Sequence, residues 1–388
     1  MFSVLLVIFC IAVLLILHTY LFYPLLMITL FKRSKTAIRE FGHNDELPQV
    51  AVLVAAYNEE KVIAEKIISV FSSTYPLNKI KVYVGSDAST DNTDAIVEDL
   101  KKKYARLELV KFAGRVGKIN IVNQLQSLGD EHLLIMTDAN VIFRPETIFE
   151  LVKSFRDERV GMVAGNIVKE SLSNEGIAYQ EKKYMSLENR IKLGESNAFN
   201  LVMGAEGGCY AIRNSQFSKV PSNFIVDDFF ITLQTLQRQK FVLFNNKALC
   251  VEDVPSDTSG EYRRKVRISS GNFQNLFFFK RLLLTPWRSV GFAFWSHKVL
   301  RWLTPFFLIL SLLMSLCMVP YNTLFLALFL VQFVGLIFPA LNYLFRFENR
   351  LLKFISHFYL MNFALLEGFI KFTKGIKSSV WQPVKRNV

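Results

Sequence analysis

The sequence predicts an α/β domain with a mainly parallel sheet, joined to transmembrane and interfacial α-helices. Apolar runs long enough to cross a bilayer lie at the start of the 388-residue chain and again after residue 298. Between them, roughly from Leu47 to Tyr262, short apolar runs alternate with segments of helical periodicity. This alternation is typical of a parallel sheet covered by helices on both faces. The composition agrees, because 51% of the residues are hydrophobic and only 20% are charged, against about 25% in soluble proteins.

The first apolar run predicts one membrane-spanning helix over residues 1–31. It exceeds the roughly 20 apolar residues that a span needs, and Pro24 would allow a kink. A cleaved signal peptide fits less well, since the run lacks a basic start and a small-residue cleavage site. The basic residues Lys32, Arg33 and Lys35 follow at once, and they predict a cytoplasmic position for the chain beyond them. We therefore expect an integral protein of the cell (inner) membrane with a cytoplasmic α/β domain.

The C-terminal part of the chain predicts further membrane segments. Two apolar runs within residues 299–345 predict a transmembrane hairpin, because basic residues lie on both of its flanks. Before the hairpin, residues 263–298 mix Phe and Trp with Lys and Arg, which indicates helices in the headgroup layer. After it, residues 346–388 predict an interfacial or re-entrant segment and a basic tail. The sequence leaves open whether residues 354–370 span the membrane.

The net charge of +13 is concentrated at the two ends of the chain. From residue 261 onward, 17 Lys and Arg stand against 3 Asp and Glu, whereas residues 40–260 are acidic overall. Basic ends beside apolar runs suit anionic lipid headgroups, so membrane lipids are expected partners and nucleic acid is not. The four cysteines show no paired spacing, and they predict neither a disulfide framework nor a zinc site.

The cytoplasmic domain is predicted for residues 32–262, and its first half can be divided into strands and helices. The apolar run 50–57 suits a buried parallel strand, and Asn58 is expected to cap the helix after it. A second helix is expected from Asp91 to Tyr104. The other predicted strands cover residues 80–86, 107–112 and 132–137, with a helix between the last two.

Polar side chains follow three of these strands, at the points where the strands end. Tyr57 and Glu59 follow the first strand, and Asp87 follows the second. Asp138 and Asn140 follow the fourth. Because ligands of open α/β sheets bind beyond the carboxyl ends of the strands, we expect these groups at one rim. A single such residue is more often a helix cap, but three groups at one edge indicate a ligand site.

The motif series resembles that of a known enzyme family. AAYNEE, SDASTDNT, the pair Gly117-Lys118, TDAN and the pair Asp227-Asp228 occur in this order. They resemble the membrane-embedded, inverting family 2 glycosyltransferases of GT-A fold, which include cellulose, hyaluronan and poly-N-acetylglucosamine synthases. The resemblance covers about residues 1–300 and implies a UDP-sugar donor, a glycan or lipid-linked acceptor, and Mg²⁺ or Mn²⁺ as cofactor. A homo-oligomer or an auxiliary subunit is compatible with it.

The resemblance also implies a role for each residue of the donor site. The implied contacts are Ala55, Tyr57 and Glu59 around the nucleotide, Asp87 at the uracil edge, Lys118 near the nucleotide, and Asp138 at the ribose, diphosphate and metal. One position departs from the family pattern, because Asn140 replaces the second acid of the metal-binding motif. Its amide oxygen can ligate a hard cation but brings no charge.

The pair Asp227-Asp228 precedes a predicted helix. The resemblance implies that Asp228 is the general base, which deprotonates the acceptor hydroxyl, and that Asp227 orients the site. Direct displacement with one base inverts the anomeric configuration and gives a β-linkage from an α-linked donor. Acids at the start of a helix also complement the helix dipole, which is the alternative interpretation of the pair.

Two further segments match parts of the family pattern. Residues 203–210 resemble its acceptor loop, with Gly207 as a substrate-binding residue, although a tight turn would need the same glycines. Arg264 and Arg267 match two positions of a Q/RxxRW motif, which implies that Arg267 contacts the departing diphosphate. Membrane anchoring by positive charge would also explain these arginines. Ile268 replaces the tryptophan of that motif, which weakens the case for long processive extension.

The leading hypothesis is a membrane-bound inverting hexosyltransferase that extends a surface or extracellular β-linked polysaccharide. Single-sugar transfer to a lipid-linked acceptor is an alternative within the same class. A non-catalytic membrane scaffold is an alternative from another class, and Asn140 and Ile268 are the residues that would favour it. The sequence specifies neither the sugar nor the linkage.

Overall fold

The computed structural model describes residues 1–30, 36–170, 176–253, 258–345, 347 and 349–376. The chain divides into two compact units. The helical unit contains residues 1–26 and 258–376, and the sheet unit lies within residues 27–257. The basic cluster at residues 32–35 and the tail from residue 377, on which part of the topology prediction depends, lie outside the described residues.

The helices of the described residues are named in chain order. Their bounds are α1 (Phe2–Leu30), α2 (Ile63–Phe71), α3 (Thr93–Lys101), α4 (Lys118–Gln126), α5 (Thr147–Val152), α6 (Gly176–Phe199), α7 (Asp227–Gln237), α8 (Thr258–Phe278), α9 (Ser289–Met318), α10 (Leu324–Phe345) and α11 (Arg350–Thr373). Helices α2 to α7 belong to the sheet unit, and α8 to α11 belong to the helical unit together with most of α1.

The strands form one mixed sheet in the described part of the sheet unit. Their bounds are β1 (Val50–Ala56), β2 (Ile80–Ser86), β3 (Leu107–Lys111), β4 (Leu133–Asp138), β5 (Val141–Phe143), β6 (Val160–Glu170), β7 (Tyr210–Arg213) and β8 (Phe241–Asp253). Their order is β3-β2-β1-β4-β7-β6-β8-β5. Strands β3, β2, β1 and β4 are parallel neighbours, and β6 and β8 are also parallel to each other. Strand β7 runs antiparallel to both of its neighbours, β4 and β6. Strand β5 runs antiparallel to β8. The predicted α/β class is confirmed.

The core of the sheet unit forms where helices cover both faces of the parallel strands. In β1 every residue is buried except Ala55, which explains why the strand is a continuous apolar run rather than an alternating one. Helix α2 buries Ile63, Ile67 and Val70, which recur at helical spacing and so lie on one stripe. The first strand is therefore where the sequence places it, and the helix after it carries the predicted apolar stripe.

The predicted cap of α2 is wrong. The helix begins at Ile63, and Asn58 lies five residues earlier in a left-handed conformation with φ of 53°. Asparagine tolerates this conformation better than most residues. Its side chain accepts a hydrogen bond from the Thr90 backbone nitrogen at 2.8 Å and donates one to the Thr90 hydroxyl at 3.1 Å. Asn58 therefore connects the segment after β1 to the segment after β2.

Three helices are long and apolar enough to cross a membrane among the described residues. They are α1, α9 and α10. They overlap the three predicted spans, but α9 begins at Ser289, within the segment 263–298 that was predicted to be interfacial. Helix α1 contains π-helical turns at His18–Phe22 and Leu26–Leu30, on either side of Pro24, so the helix is irregular where a kink was expected.

Polar side chains connect the helices of the helical unit. Ser311 on α9 donates to the Gln332 amide oxygen on α10 at 2.7 Å, and Gln332 donates to Ser315 at 3.2 Å. Helix α8 packs on α11, where Ser269 donates to the Leu365 carbonyl at 3.0 Å. Interhelical hydrogen bonds of this kind stabilise helix pairs in an apolar surrounding, where the unpaired alternative is unfavourable.

The prediction for residues 354–370 stays open. Helix α11 covers them but is not among the helices that meet the length and hydropathy of a span. Its Glu367 accepts a hydrogen bond from Tyr262 on α8 at 2.9 Å and pairs with Lys371 at 2.9 Å. The acidic side chain of this segment is thus paired within the helical unit.

Candidate active site

The carboxyl ends of β1, β2 and β4 lie side by side. In the sheet register Ala55 is opposite Gly85 on one side and Asp138 on the other. The side chains that follow these strands therefore meet at one edge, as expected for parallel strands. Ala55 is partly exposed there, whereas the rest of β1 is buried, so the edge is accessible directly above this residue.

Asp87 is fully buried and fixes the segment that leads into α4. Its carboxylate accepts hydrogen bonds from the backbone nitrogens of Val116 at 2.6 Å and Gly117 at 3.2 Å, and from Arg115 Nε at 3.0 Å. Gly117 has a φ of 86°, which glycine adopts without strain. The predicted contact with the uracil edge is a separate role, and this geometry does not test it.

Arg115 is a site residue that sequence reasoning missed. Its guanidinium carbon lies 3.3 Å from the centre of the Tyr57 ring, while its Nε is held by Asp87. A planar cation on an aromatic face is a stable arrangement and presents a flat surface. Tyr57 and Arg115 thus form a stack at the sheet edge, and Asp87 joins it through a hydrogen bond. Arg115 lies in a loop and follows no periodic pattern, so no sequence signal could have identified it.

Glu59 is also buried, and its surroundings connect the β1 and β2 ends. Its backbone nitrogen donates to the Thr93 hydroxyl at 2.8 Å. The next residue, Glu60, accepts from the Asn92 backbone nitrogen at 3.0 Å, and its own nitrogen donates to Asp91 at 3.1 Å. These contacts hold the segment after β1 against the start of α3 and so fix the position of Tyr57 nearby.

Lys118 and Asp138 form the charged centre of the site. Lys118 Nζ donates to Asp138 Oδ1 at 2.5 Å. A Cβ atom added to Gly207 would lie 3.3 Å from Lys118 Nζ and 3.1 Å from Asp228 Oδ2, and one added to Gly208 would lie 3.6 Å from Asp138 Oδ2. The ends of β4, α4 and α7 and the segment before β7 therefore converge on one small region.

Asp227 and Asp228 are the first two residues of α7. Burial raises the pKa of Asp228, and the neighbouring Asp227 raises it further, while Lys118 and the backbone nitrogens of Phe229 and Gly207 lower it, so that the pKa is about 7. Burial lowers the pKa of Lys118, but the carboxylates of Asp138, Asp227 and Asp228 outweigh it and hold the pKa above its usual range. A carboxylate with a pKa near 7 is suited to accept a proton at neutral pH.

Two buried charges on α6 hold the segment that contains Gly207. Glu195 is buried and accepts a hydrogen bond from the Met203 backbone nitrogen at 2.9 Å. Lys192 is buried as well, and its Nζ donates to the Glu206 carboxylate. From the other side, the Thr232 hydroxyl on α7 accepts from the Ala205 nitrogen at 3.2 Å. The segment before β7 is therefore anchored to both helices.

The oxygen ligands available for a cation are few. Asp138 and Asn140 both lie partly exposed at the site, and Asn140 Nδ2 donates to Glu252 at 3.3 Å. Among the described residues no three His, Cys, Asp or Glu side chains form a group that could enclose a metal. One carboxylate and one amide oxygen nevertheless fit Mg²⁺ or Mn²⁺, since such ions are often bound by one or two protein oxygens plus substrate phosphates and water.

The predicted arginine motif lies on α8 in the helical unit. Arg264 Nε and Nη2 donate to the Glu261 carboxylate at 2.9 and 3.2 Å. Glu261 also pairs with Lys265 at 3.4 Å. The Arg267 carbonyl accepts from the Ser270 hydroxyl at 2.7 Å. The predicted contact of Arg267 with a diphosphate stays a prediction.

This combination of a mixed sheet and a charged cluster at its carboxyl edge defines a GT-A-like transferase fold with candidate membrane-spanning helices. The structure resembles that of the mannosyltransferase PcManGT from Pyrobaculum calidifontis in complex with GDP-Man and Mn²⁺, with a TM-score of 0.70 at 20% identity, over 94% of this chain and 99% of that chain. Residues 51–220 match the sequence model of Glycosyl transferase family 2. The chain carries a family 2 glycosyltransferase domain.

The curated relatives are synthases of polysaccharides and of a glycolipid. Identity is 24% to a poly-beta-1,6-N-acetyl-D-glucosamine synthase of Staphylococcus epidermidis, over 61% of this chain and 57% of the relative. It is 32% to a beta-monoglucosyldiacylglycerol synthase of Nostoc sp., over 33% of this chain and 27% of the relative. It is 30% to a hyaluronan synthase of Streptococcus pyogenes, over 41% of this chain and 42% of the relative. The matches thus span between about a quarter and three fifths of the relatives' lengths.

Proposed function

We propose that the protein is a membrane-bound inverting glycosyltransferase that moves a sugar from a UDP-sugar to an acceptor hydroxyl at the cytoplasmic face of the cell membrane. The observation that carries the proposal is the position of Asp228. Its carboxylate has a pKa of about 7 and adjoins Gly207, which in turn adjoins Lys118. A proton acceptor beside a cationic phosphate-binding group is the arrangement that glycosyl transfer requires.

The donor is proposed to bind along the edge formed by β1, β2 and β4. The stacked pair Tyr57 and Arg115 offers a flat surface for the base, and Asp87 holds this surface in place. The diphosphate would then lie near Lys118 and Asp138. Asp138, with the amide oxygen of Asn140, would hold Mg²⁺ or Mn²⁺, and this cation supplies positive charge that stabilises the leaving diphosphate.

Asp228 is proposed to start the transfer by accepting the proton of the acceptor hydroxyl. The acceptor oxygen forms a bond to the anomeric carbon while the bond from that carbon to the diphosphate oxygen breaks, and UDP leaves. Attack from the face opposite the leaving group inverts the configuration. Gly207 supports this role, because any larger side chain would occupy space 3.1 Å from the Asp228 carboxylate that the acceptor needs.

The product is proposed to be a surface or extracellular β-linked polysaccharide. The polysaccharide synthases among the relatives support it, with the longer matched share of this chain. Single-sugar transfer to a lipid acceptor is the second candidate. It is favoured by 32% identity to a glycolipid synthase and by Ile268 in place of the tryptophan of the family motif.

The test is a transfer assay with membranes that contain the full chain, Mn²⁺ and a panel of UDP-sugars, read by mass spectrometry of the products. We expect one UDP-sugar to be consumed, and a series of product masses would identify polymer synthesis. Asp228→Asn should abolish transfer but leave UDP binding intact. Asp99→Asn is the matched control, because Asp99 is exposed and pairs with Lys102. Unchanged turnover in Asp228→Asn would overturn the proposed base.

A further inference from the structure

Lys66 on α2 is completely buried in the sheet unit. Lysine is almost never fully buried without partners, because removing its ammonium from water is unfavourable. It lies on the same helical stripe as the core residues Ile63, Ile67 and Val70, where an apolar side chain would be expected. The contacts of the buried ammonium therefore indicate what Lys66 does in this protein.

The side chain of Lys66 contacts the end of β4 and the start of β5. Its Nζ donates to the Thr137 hydroxyl at 2.7 Å and to the Val141 carbonyl at 2.5 Å. The same atom lies 3.4 Å from the centre of the Phe143 ring on β5. Lys66 thus binds the end of β4 and the start of β5 through one atom.

The residues that Lys66 binds lie on either side of the proposed metal ligands. Burial alternates along the segment from Thr137 to Val141, in which Ala139 and Asn140 form a turn between β4 and β5. Thr137, Ala139 and Val141 are buried, whereas Asp138 and Asn140 are partly exposed at the site. Lys66 holds Thr137 and Val141 on the buried side of the segment. It therefore fixes the direction in which the side chains of Asp138 and Asn140 point.

We propose that Lys66 is a positioning residue, which holds the segment from Thr137 to Val141 so that Asp138 and Asn140 meet the donor diphosphate and its divalent cation. The inference rests on the proposed function for the identity of that ligand. It does not depend on the charge of Lys66, because an uncharged amine still has the two N–H groups that its two oxygen acceptors need. Partners one step removed from a metal ligand typically change metal affinity by about 10- to 100-fold.

A lysine that only stabilised the fold would behave differently. Its replacement would lower the melting temperature of the protein and leave the affinity for cation and nucleotide unchanged in the molecules that stay folded. A positioning role predicts a loss of affinity in folded protein. The two cases are therefore separated by a binding measurement and not by activity.

The experiment is calorimetric titration of the purified full chain with Mn²⁺ in the presence of UDP. Lys66→Met keeps the length of the side chain and removes the N–H donors, and we expect it to weaken Mn²⁺ binding by about 10-fold or more. Thr137→Val removes the hydroxyl acceptor at similar size and should weaken binding in the same direction. Thr137→Ser keeps the hydroxyl and should bind Mn²⁺ more tightly than Thr137→Val does.

The outcomes separate the two proposals. Absence of Mn²⁺-dependent heat in the unchanged protein would contradict the proposed function itself. If the unchanged protein binds Mn²⁺ and folded Lys66→Met binds it with the same binding constant, only the proposed role of Lys66 is overturned. If Lys66→Met does not fold, equal constants for Thr137→Val and Thr137→Ser would overturn it instead. If the double variant Lys66→Met/Thr137→Val binds Mn²⁺ no more weakly than Lys66→Met alone, the result supports action of Lys66 through its contact with Thr137.

Discussion

Lys118 Nζ lies 2.5 Å from Asp138 Oδ1 and donates a hydrogen bond to it. The contact joins the first residue of α4 to the last residue of β4, so the cation and the carboxylate that face the proposed diphosphate have fixed relative positions. Each neutralises part of the charge of the other, and Asp138 helps to hold the pKa of Lys118 above its usual range.

Lys118→Met is expected to weaken UDP binding by about 10-fold or more, since the proposed phosphate-binding cation is removed and Asp138 loses the ammonium beside it. Titration of the protein with UDP and Mn²⁺ measures the change. Lys102→Met is the control, because the Lys102 side chain is 79% exposed and forms only a surface pair with Asp99. Equal UDP affinity in the two variants would contradict a role for Lys118 at the nucleotide.

The activity should depend on pH through Asp228. The pKa of about 7 means that the fraction of Asp228 able to accept a proton increases as the pH rises from 6 to 8, and the transfer rate should increase with it. A pH–rate profile at saturating donor checks this. A profile that is flat between pH 5 and pH 9 would show that no group with this pKa takes part.

The same pKa has a consequence for stability. The carboxyl has a pKa of about 7 in the folded protein and about 3.9 when unfolded, so the folded state binds the proton more tightly. Its contribution to stability is present below pH 4 and is lost as the pH rises through 7. Asp228→Asn should therefore raise the melting temperature relative to the unchanged protein at pH 8. At pH 4 the difference should disappear, and an equal difference at both values would contradict the shift.

Gly207→Ala should lower turnover by about 10-fold while the protein still folds, because misplacing reacting groups by a fraction of an ångström is enough to slow transfer. The added methyl group would lie 3.1 Å from Asp228 and 3.3 Å from Lys118. Gly114→Ala is the matched control, since a Cβ atom at Gly114 would meet nothing within 4 Å. The initial transfer rates of the two variants measure the effect. Equal rates would contradict the claim that the space beside Gly207 is needed for transfer.

Arg115→Lys should weaken UDP binding by about 3- to 10-fold, since lysine keeps the charge but loses the planar group that stacks on Tyr57. Tyr57→Phe keeps the aromatic face and should bind UDP nearly as well as the unchanged protein. Fluorescence or calorimetric titration with UDP distinguishes the two. The stack is not the base-binding surface if Arg115→Lys binds UDP normally.

Much of the fold could be predicted because its signals are local. Strands β1 and β2 are short apolar runs, and α2 shows the spacing of a helix packed on one face, so the parallel part of the sheet followed from the sequence. The pair Asp227-Asp228 was expected to open a helix and does. Strands β6 and β8 were not among the predicted strands, and their parallel pairing, which joins Val160 to Phe241, became apparent only in three dimensions.

The residues that were missed or misassigned depend on tertiary contacts. Asn58 was expected to cap α2, but its partner Thr90 lies 32 residues away. Arg115 and Lys192 are polar residues whose partners belong to other elements. Lys66 alone had a visible signal, a lysine on an otherwise apolar stripe of α2, but its partners on β4 and β5 became apparent only in three dimensions.

The anomeric configuration of the transferred sugar tests most directly whether Asp228 acts as a single base in a direct displacement. NMR of the first product formed from an α-linked UDP-sugar reports this configuration. The account predicts a β-linked sugar, and an α-linked sugar would contradict it.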